Sequence, residues 1–279
     1  MRKSEDQRVI YGAVDLTSAT ATQAALDHVT RLQHHMPPTY IFCCTGGATP
    51  GLFLPCSAQL LASGMQWNYL PVLFTIHASL RKLVQSIFHI SNAEEQDEIY
   101  QKCPSLLGTK IIVTSSILGM LGIPGYTHYA PAKFALRGLV ECLRMELQMY
   151  HVDIHLFLPG NMQSPGFDRE NATKPELTRR IEGASDAITS DQAMEALFYG
   201  LRQGRYMITC DPVGEILIPS AAPVGPGNGI VWDALWDGVR WLAMGWWRRY
   251  SDWLTRREPA RMDTLLKEVE MEKHAQKLD

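Results

Sequence analysis

A tyrosine and a lysine one helical turn apart are the first residues of this chain that could do chemistry. In the segment YTHYAPAKFALRGL, Tyr129 and Lys133 stand at positions i and i+4, so a helix would place them on one face. A nearby ammonium favours a phenolate, and we therefore expect Lys133 to lower the pKa of Tyr129 from about 10 toward the working range. Such a phenol suits a general acid for the reduction of a carbonyl.

A serine ahead of this pair makes a catalytic site a more specific interpretation than the pair alone. The run KIIVTSS (110–116) has the composition of a buried strand, and its end would deliver Ser116 to the sheet edge near Tyr129. There the Ser116 hydroxyl could hold a substrate oxygen. A Tyr-x-x-x-Lys pair arises by chance in about one such sequence in three, and the triple in about 2% of them. An ordinary amphipathic helix is the alternative interpretation of the pair.

The elements that must position these residues alternate between strands and helices. Apolar runs of strand length occur at residues 8–14, 40–44, 110–116, 152–159 and 205–210. Helical patterns lie between them at residues 57–87, 129–148 and 191–203. Strands buried on both faces that alternate with long helices predict an α/β fold with a doubly wound parallel sheet.

Two polar segments interrupt this alternation. Residues 92–108 have the composition of a polar connection. Residues 161–183 are rich in charge, proline and glycine, and they follow the end of a strand, where the ligands of open α/β sheets bind. We therefore predict a mobile substrate lid there. The predicted lid includes Ser164, Pro165, Gly166 and Phe167.

The bulk composition excludes several classes of function. A net charge of -3 and a pI near 6.3 give no basic stripe for nucleic acid. The six cysteines show no C-x-x-C spacing, which indicates a reducing compartment. We predict no metal site, because the adjacent pairs at 34–35 and 43–44 would rarely converge on one ion. The start lacks the apolar core of a signal peptide, and no run of about 18 apolar residues predicts a membrane-spanning helix.

The three reactive residues resemble those of the short-chain dehydrogenase/reductase family. Ser116, Tyr129 and Lys133 match its Ser-Tyr-Lys triad, within the similar segment SSILGMLGIPGYTHYAPAKFALRGLVECLRMEL. The resemblance implies a Rossmann-like fold in which Tyr129 protonates a carbonyl oxygen, Ser116 positions it, and Lys133 tunes Tyr129 and holds the nicotinamide ribose. It also implies that Asn68 helps to maintain the proton relay. Without the resemblance, Asn68 is an ordinary polar position in a helix.

The resemblance extends to residues that would bind the cofactor. CCTGGATPGLF is similar to the family's Asn-Ala-Gly turn, although Cys44 departs from the usual asparagine. Asp15 matches the acidic residue that lies near the adenine. From the residues alone, these are equally a strand-to-helix turn and a helix cap. The cofactor contacts that the resemblance implies are Asp15, Leu16, Cys44, Gly46, Tyr129, Lys133, Pro159 and Gly160.

Two further segments indicate which group of the family the chain resembles. PGNMQSPGFDRENATKPELTRRIEG and ITCDPVGEIL look like the corresponding segments of the fungal-type 3-ketodihydrosphingosine reductases. This resemblance implies NADPH-dependent reduction of 3-ketosphinganine, a long-chain sphingoid ketone, to sphinganine at the cytosolic face of the endoplasmic reticulum membrane. The alternatives are a reductase of another lipid or steroid ketone and a non-catalytic membrane-associated remnant.

The C-terminal part of the chain is crowded with tryptophan. Six of the seven tryptophans fall within GIVWDALWDGVRWLAMGWWRRYSDWLTRR, where charged residues recur near helical spacing. Tryptophan and arginine favour the membrane interface, so we predict an amphipathic helix on a membrane surface at residues 230–257. A contact in a soluble homodimer is the alternative. We divide the chain into a domain at 1–220 and a helical tail at 221–279.

The sequence contains no glycine-rich turn of the kind that binds the pyrophosphate of a dinucleotide. By the resemblance it starts at the family's third strand, so we expect a Rossmann-like sheet that lacks the first βαβ unit. The strand at 8–14 would then lose its neighbour, and the strand at 40–44 would become an edge. Such a chain is either a truncated form of an active reductase or a remnant that binds no cofactor.

Overall fold

The computed structural model describes residues 9–32, 38–90, 109–150, 152–183, 187–221 and 230–257. The strands of this part are β1 (Tyr40–Cys43), β2 (Lys110–Thr114), β3 (Asp153–Leu158) and β4 (Met207–Thr209). Its α-helices are α1 (Ala19–Leu32), α2 (Ala58–Asn68), α3 (Leu70–Ile90), α4 (Ala130–Leu147), α5 (Pro165–Thr173), α6 (Glu176–Glu182), α7 (Ser190–Arg202), α8 (Pro212–Leu217) and α9 (Ile230–Arg257). The predicted polar connection at 92–108 lies outside the described residues.

One sheet organises the described part of the chain. Its four strands are all parallel and lie in the order β1-β2-β3-β4. In β2, Ile111, Ile112 and Val113 are fully buried although successive side chains point to opposite faces. Both faces of the central strands are therefore covered, which confirms the predicted α/β fold. The carboxyl ends of all four strands meet at one edge of the sheet.

Helices cover the two faces of this sheet. On one face, α3 and α4 contribute to a single apolar cluster with β1, β2 and β3, through side chains that include Val72, Ile76, Leu136 and Val140. On the other face, α7 packs Ala193 and Leu197 against Ile112 and Phe157. Helices on both faces of a parallel sheet make the arrangement doubly wound, as the sequence predicts.

Strand β1 lies at one edge of the sheet, as predicted, but the strand predicted before it at 8–14 does not form over the described residues 9–14. In the described part β1 pairs with β2 alone, and Tyr40 and Phe42 on one of its faces are 47% and 40% exposed. The predicted strand at 8–14 is wrong, because residues 9–14 form no strand and Tyr11 is 90% exposed. An apolar run becomes a strand only where a neighbour completes its backbone hydrogen bonds, and no described segment pairs with this one.

The predicted helix at 57–87 is two helices that meet at Tyr69. Pro71 supplies no N–H to the carbonyl of Trp67, so the helical hydrogen bonds are interrupted at this point. Gly64 brings α2 against the start of α4, because a Cβ there would lie 1.7 Å from the His128 carbonyl oxygen. Asn68 consequently sits at the end of α2, beside the carboxyl edge of the sheet.

Helix α9 packs along the domain. Its inner face carries Ser251 and Leu254, which are buried, and Met244 and Trp247, which pack on the cluster that includes Leu177 of α6 and Leu217 of α8. Its outer face exposes a row of large apolar side chains: Val239, Trp241, Leu242, Trp246, Tyr250 and Trp253. None of the helices in the described ranges is long and apolar enough to cross a membrane.

Candidate active site

A cavity of about 830 Å³ opens at the carboxyl edge of the sheet. Its wall combines the ends of β2 and β3, the loop after β1, the start of α4, and parts of α5, α6 and α9. The site residues predicted from the sequence that line it are Cys44, Gly46, Ser116, Tyr129, Lys133, Pro159, Gly160, Ser164, Gly166 and Phe167. The topology therefore gathers most of the predicted site in one place.

Ser116 and Tyr129 form the polar centre of the wall. Ser116 follows β2 and caps the turn Ile117–Gly119, where its hydroxyl oxygen accepts a hydrogen bond of 3.1 Å from the Leu118 N–H. Tyr129 is the residue at the start of α4, and the Ser116 side chain is close enough to lower the pKa of its phenol. Both side chains line the cavity and come from different parts of the chain, so one carbonyl oxygen could contact both hydroxyl groups.

The structure contradicts the expectation that Lys133 lowers the pKa of Tyr129. Burial raises the pKa of the Tyr129 phenol above its ordinary value, the hydrogen bond to Ser116 opposes this shift, and the charge of Glu170 adds to it. Low-dielectric surroundings penalise a phenolate more than this site compensates. Tyr129 is therefore protonated at neutral pH, which is the form that can donate a proton.

Lys133 is almost completely buried beneath this pair. Its Nζ donates a hydrogen bond of 3.1 Å to the Thr114 carbonyl oxygen and lies 5.4 Å from the centroid of the Tyr129 ring. Burial lowers the pKa of Lys133 to about 8. Lys133 is therefore still an ammonium at neutral pH, but it binds its proton more weakly than a lysine on the surface does.

Asn68 holds the backbone of the loop after β1 and does not line the cavity. Its amide oxygen accepts from the Gly47 N–H at 3.0 Å, and its nitrogen donates to the carbonyl oxygens of Gly47 and Gly64, each at 3.1 Å. Gly46 has a φ of +147°, and a Cβ there would lie 2.5 Å from the Asn68 oxygen. Glycine is needed at this close approach. The part of Asn68 in a proton relay stays a prediction.

His128 fixes the same loop from the other side. Its Nε2 accepts a hydrogen bond of 2.9 Å from the Thr49 N–H, and burial lowers the pKa of the imidazole, so the ring is neutral and can accept. Since His128 directly precedes Tyr129, this contact ties the loop to the residue that would donate the proton. The sequence alone did not single out His128.

Asp15 and Leu16 are not among the residues that line the cavity. The Asp15 carboxylate accepts hydrogen bonds from the N–H and the hydroxyl of Thr17, which lower its pKa, and it thus caps the turn ahead of α1. Their role in cofactor binding stays a prediction.

The predicted lid is a pair of short helices, α5 and α6. Ser164 accepts from the Phe167 N–H at 3.1 Å and Pro165 follows it, a favourable start for a helix that outweighs the loop-like composition. Gly166 and Phe167 line the cavity, whereas Pro165 does not. Whether this segment moves over a ligand stays a prediction.

Several wall residues and their partners that bear on the chemistry were missed by the sequence reasoning. They are Tyr126, Glu170, Lys174, Glu182 and Trp247. The i, i+4 spacing of Glu170 and Lys174 was the one available signal. Trp247 was assigned to a separate tail, because no sequence pattern places α9 against the cavity.

Known proteins are similar to this chain in sequence and in fold. A family model described as short chain dehydrogenase matches residues 99–175, which include the whole of the Ser116–Lys133 segment. Over these residues the chain is similar to the short-chain dehydrogenases. Two solved structures share its fold at 17% identity. A Burkholderia cenocepacia J2315 enzyme in complex with NADP has a TM-score of 0.55 and covers 75% of this chain and 72% of its own. A Burkholderia phymatum enzyme in complex with NAD has a TM-score of 0.57 and covers 78% of each.

Fungal relatives are similar to most of the length of this chain. The 3-ketodihydrosphingosine reductase TSC10 of Cryptococcus neoformans var. neoformans serotype D (strain JEC21) is 33% identical over 240 residues, which are 86% of this chain and 66% of that protein. The 3-ketodihydrosphingosine reductase ksrA of Aspergillus fumigatus is 31% identical and covers 85% of this chain and 65% of its own. The TSC10 reductase of Saccharomyces cerevisiae is 33% identical and covers 76% and 59%. The chain thus spans less than two thirds of each relative's length.

Proposed function

We propose that this chain reduces the ketone of 3-ketosphinganine to give sphinganine, with NADPH as the cofactor. The observation that carries the proposal is the placement of Ser116, Tyr129 and the buried Lys133 in one cavity wall, with Lys133 Nζ 5.4 Å from the centroid of the Tyr129 ring. The names of the fungal relatives, 3-ketodihydrosphingosine reductases, support the choice of substrate. The product would feed sphingolipid synthesis.

Tyr129 is the acid of the proposed reaction. Its protonated phenol donates to the ketone oxygen as negative charge develops there. Ser116, held by the Leu118 N–H, offers the same oxygen a second hydrogen bond. The Lys133 ammonium stabilises the phenolate that remains after the proton transfer. A reduced nicotinamide, when bound, supplies the hydride that the ketone carbon accepts.

The surroundings of Gly46 fit the nicotinamide and ribose end of such a cofactor. A Cβ at Gly46 would lie 3.3 Å from Lys133 Nζ, so the missing side chain leaves bare backbone beside a buried donor. Cys44, Pro159 and Gly160 line the same cavity and would complete the contacts. The choice of NADPH over NADH follows the resemblance to the fungal reductases, since the solved neighbours hold NADP in one case and NAD in the other.

Titration of NADPH into the purified chain tests the proposal first. We expect saturable binding in the micromolar range, followed by oxidation of NADPH when 3-ketosphinganine is added. Nicotinamide fluorescence follows the binding, and absorbance follows the turnover. Absence of binding by a folded sample would contradict the enzymatic proposal. Turnover of other lipid or steroid ketones, with 3-ketosphinganine inert, would leave a reductase and reject this substrate.

We also propose that the outer face of α9 lies on a membrane surface, at the cytosolic face of the endoplasmic reticulum. Trp241 and Trp246 are 73% and 67% exposed, and Tyr250 stacks between Trp246 and Trp253 with ring centroids 5.4 and 6.1 Å away. Arg257 lies 4.0 Å from the Trp253 ring centroid. Stacked amphipathic rings beside arginines suit the headgroup region. An enzyme held there would meet a sphingoid ketone where that lipid resides.

Replacing Trp241 and Trp246 together by serine should weaken binding to anionic lipid vesicles by about tenfold or more, because each indole removes a large apolar surface from water. Vesicle co-sedimentation measures the change. Phe53→Ser, at a residue that is 57% exposed and away from α9, is the matched control. Unchanged vesicle binding, accompanied by a dimer that dissociates in the double variant, would favour the homodimer contact instead.

A further inference from the structure

A partly buried charged cluster lies in the wall of the active-site cavity and includes none of Ser116, Tyr129 and Lys133. Tyr126 donates a hydrogen bond to Glu170, and Lys174 lies between two carboxylates, 2.7 Å from Glu182 and 3.5 Å from Glu170. We name Tyr126, Glu170, Lys174 and Glu182 the Glu170 cluster. It joins α5 and α6 to the segment that leads into Tyr129.

The charges of the Glu170 cluster do not cancel. One lysine faces two glutamates, so one negative charge is in excess. Lys174 is nearer to Glu182, whereas Glu170 accepts a hydrogen bond from the neutral Tyr126 hydroxyl. Lys174 is 3% exposed, while both glutamates are 18% exposed and line the cavity. An incompletely neutralised carboxylate in a partly buried wall favours a cationic partner.

The negative charge of Glu170 affects the Tyr129 phenol, the proposed proton donor. Glu170 is close enough to Tyr129 for its charge to raise the pKa of that phenol. Both side chains line the same cavity. A ligand whose carbonyl oxygen contacts Tyr129 and Ser116 therefore has its neighbouring carbon atoms within the electrostatic reach of Glu170.

We propose that Glu170, positioned by Tyr126 and Lys174, binds the protonated amine on the carbon next to the ketone and so selects aminoketones over plain ketones. This inference rests on the proposed function and assigns one wall of the cavity to one end of the substrate. An ammonium beside the Glu170 carboxylate forms a charge-assisted hydrogen bond and completes the charge balance of the cluster. A ketone without the amine leaves the carboxylate partly desolvated and unpaired.

The competing explanation is that the cluster only holds α5 and α6 in place. Glu170→Gln separates the two, because the amide can still accept from Tyr126 while the negative charge is lost. A structural role would alter the binding of every ligand equally. A recognition role would alter the binding of amine-bearing ligands alone.

The experiment measures binding by calorimetry in the presence of NADPH. The ligands are a short-chain 2-amino-1,3-diol and the same diol without its amine, neither of which can be reduced by NADPH. The original chain should bind the amino compound about ten- to a hundredfold more tightly, and Glu170→Gln should remove that preference. Glu176→Gln, the same change at an exposed residue outside the cavity wall, should retain it.

Equal binding of both diols by the original chain would overturn the inference, as would an equal loss of both in Glu170→Gln. The proposed reaction can fail separately. An amine preference that depends on Glu170, without turnover of 3-ketosphinganine, would support the inference and reject the reaction. Turnover of 3-ketosphinganine without any amine preference would do the reverse.

Discussion

Tyr129→Phe is expected to lower kcat/KM for a ketone substrate by about a thousandfold or more. The variant keeps the ring at the start of α4 and loses only the hydroxyl, which lies in the same cavity wall as Ser116. Since Lys133 remains in place, the affinity for NADPH should change little. Steady-state turnover, together with NADPH titration, measures the two quantities separately.

Tyr206→Phe provides the control for this prediction. Tyr206 is 8% exposed, lies outside the cavity wall, and its hydroxyl has no hydrogen-bond partner in the part of the chain that the structure describes. Its removal should leave kcat/KM within about threefold. Turnover that survives in Tyr129→Phe would show that a different group donates the proton, and the proposed mechanism would fail.

Lys133→Met is expected to remove activity and to stabilise the fold at neutral pH. Burial lowers the pKa of Lys133 from 10.5 to about 8, so the folded state carries its ammonium at a cost of about 3 kcal/mol. The variant loses the hydrogen bond to Thr114, worth about 1 kcal/mol. The free energy of unfolding at pH 7 should therefore rise by about 2 kcal/mol, while turnover falls by about a hundredfold or more.

The gain in stability from Lys133→Met should depend on pH. Between about pH 8 and 10.5 the unfolded chain binds the Lys133 proton and the folded chain does not, so the stability of the original chain rises with pH across this window. The advantage of Lys133→Met should disappear over the same range. Lys110→Met, at a lysine paired with Asp153 near the surface, should show neither effect. Denaturation curves at several pH values measure both, and a destabilised Lys133→Met at pH 7 would contradict the argument.

Much of the fold could be predicted, because buried parallel strands have a distinctive composition. β2 and β3 were recognisable from continuous apolar runs, and α4 and α7 from their helical periodicity. The segment at 8–14 has the same composition and forms no strand, since pairing depends on a neighbour that local composition does not reveal. The first lid helix, α5, was missed because capping by Ser164 outweighed the content of charge, glycine and proline.

The candidate site was predictable where spacing along one helix or one strand end determines proximity. Ser116, Tyr129 and Lys133 meet that condition. The pKa of Tyr129 could not be predicted, because burial depends on packing from several elements and outweighs the neighbouring lysine. Tyr126 and Glu182 meet through Glu170 and Lys174, contacts between segments far apart in the chain that spacing does not encode.

The all-parallel sheet has a consequence for how the chain reaches its folded state. No two neighbouring strands can be joined by a short hairpin, since α2 and α3 separate β1 from β2, and α4 separates β2 from β3. The entropy of closing these long crossovers must be lost before the sheet contacts form, which makes such topologies slow to assemble. During that interval the β1 edge, with Tyr40 and Phe42 exposed, is open to other chains. Refolding in dilute solution should therefore compete better with aggregation than refolding at high concentration.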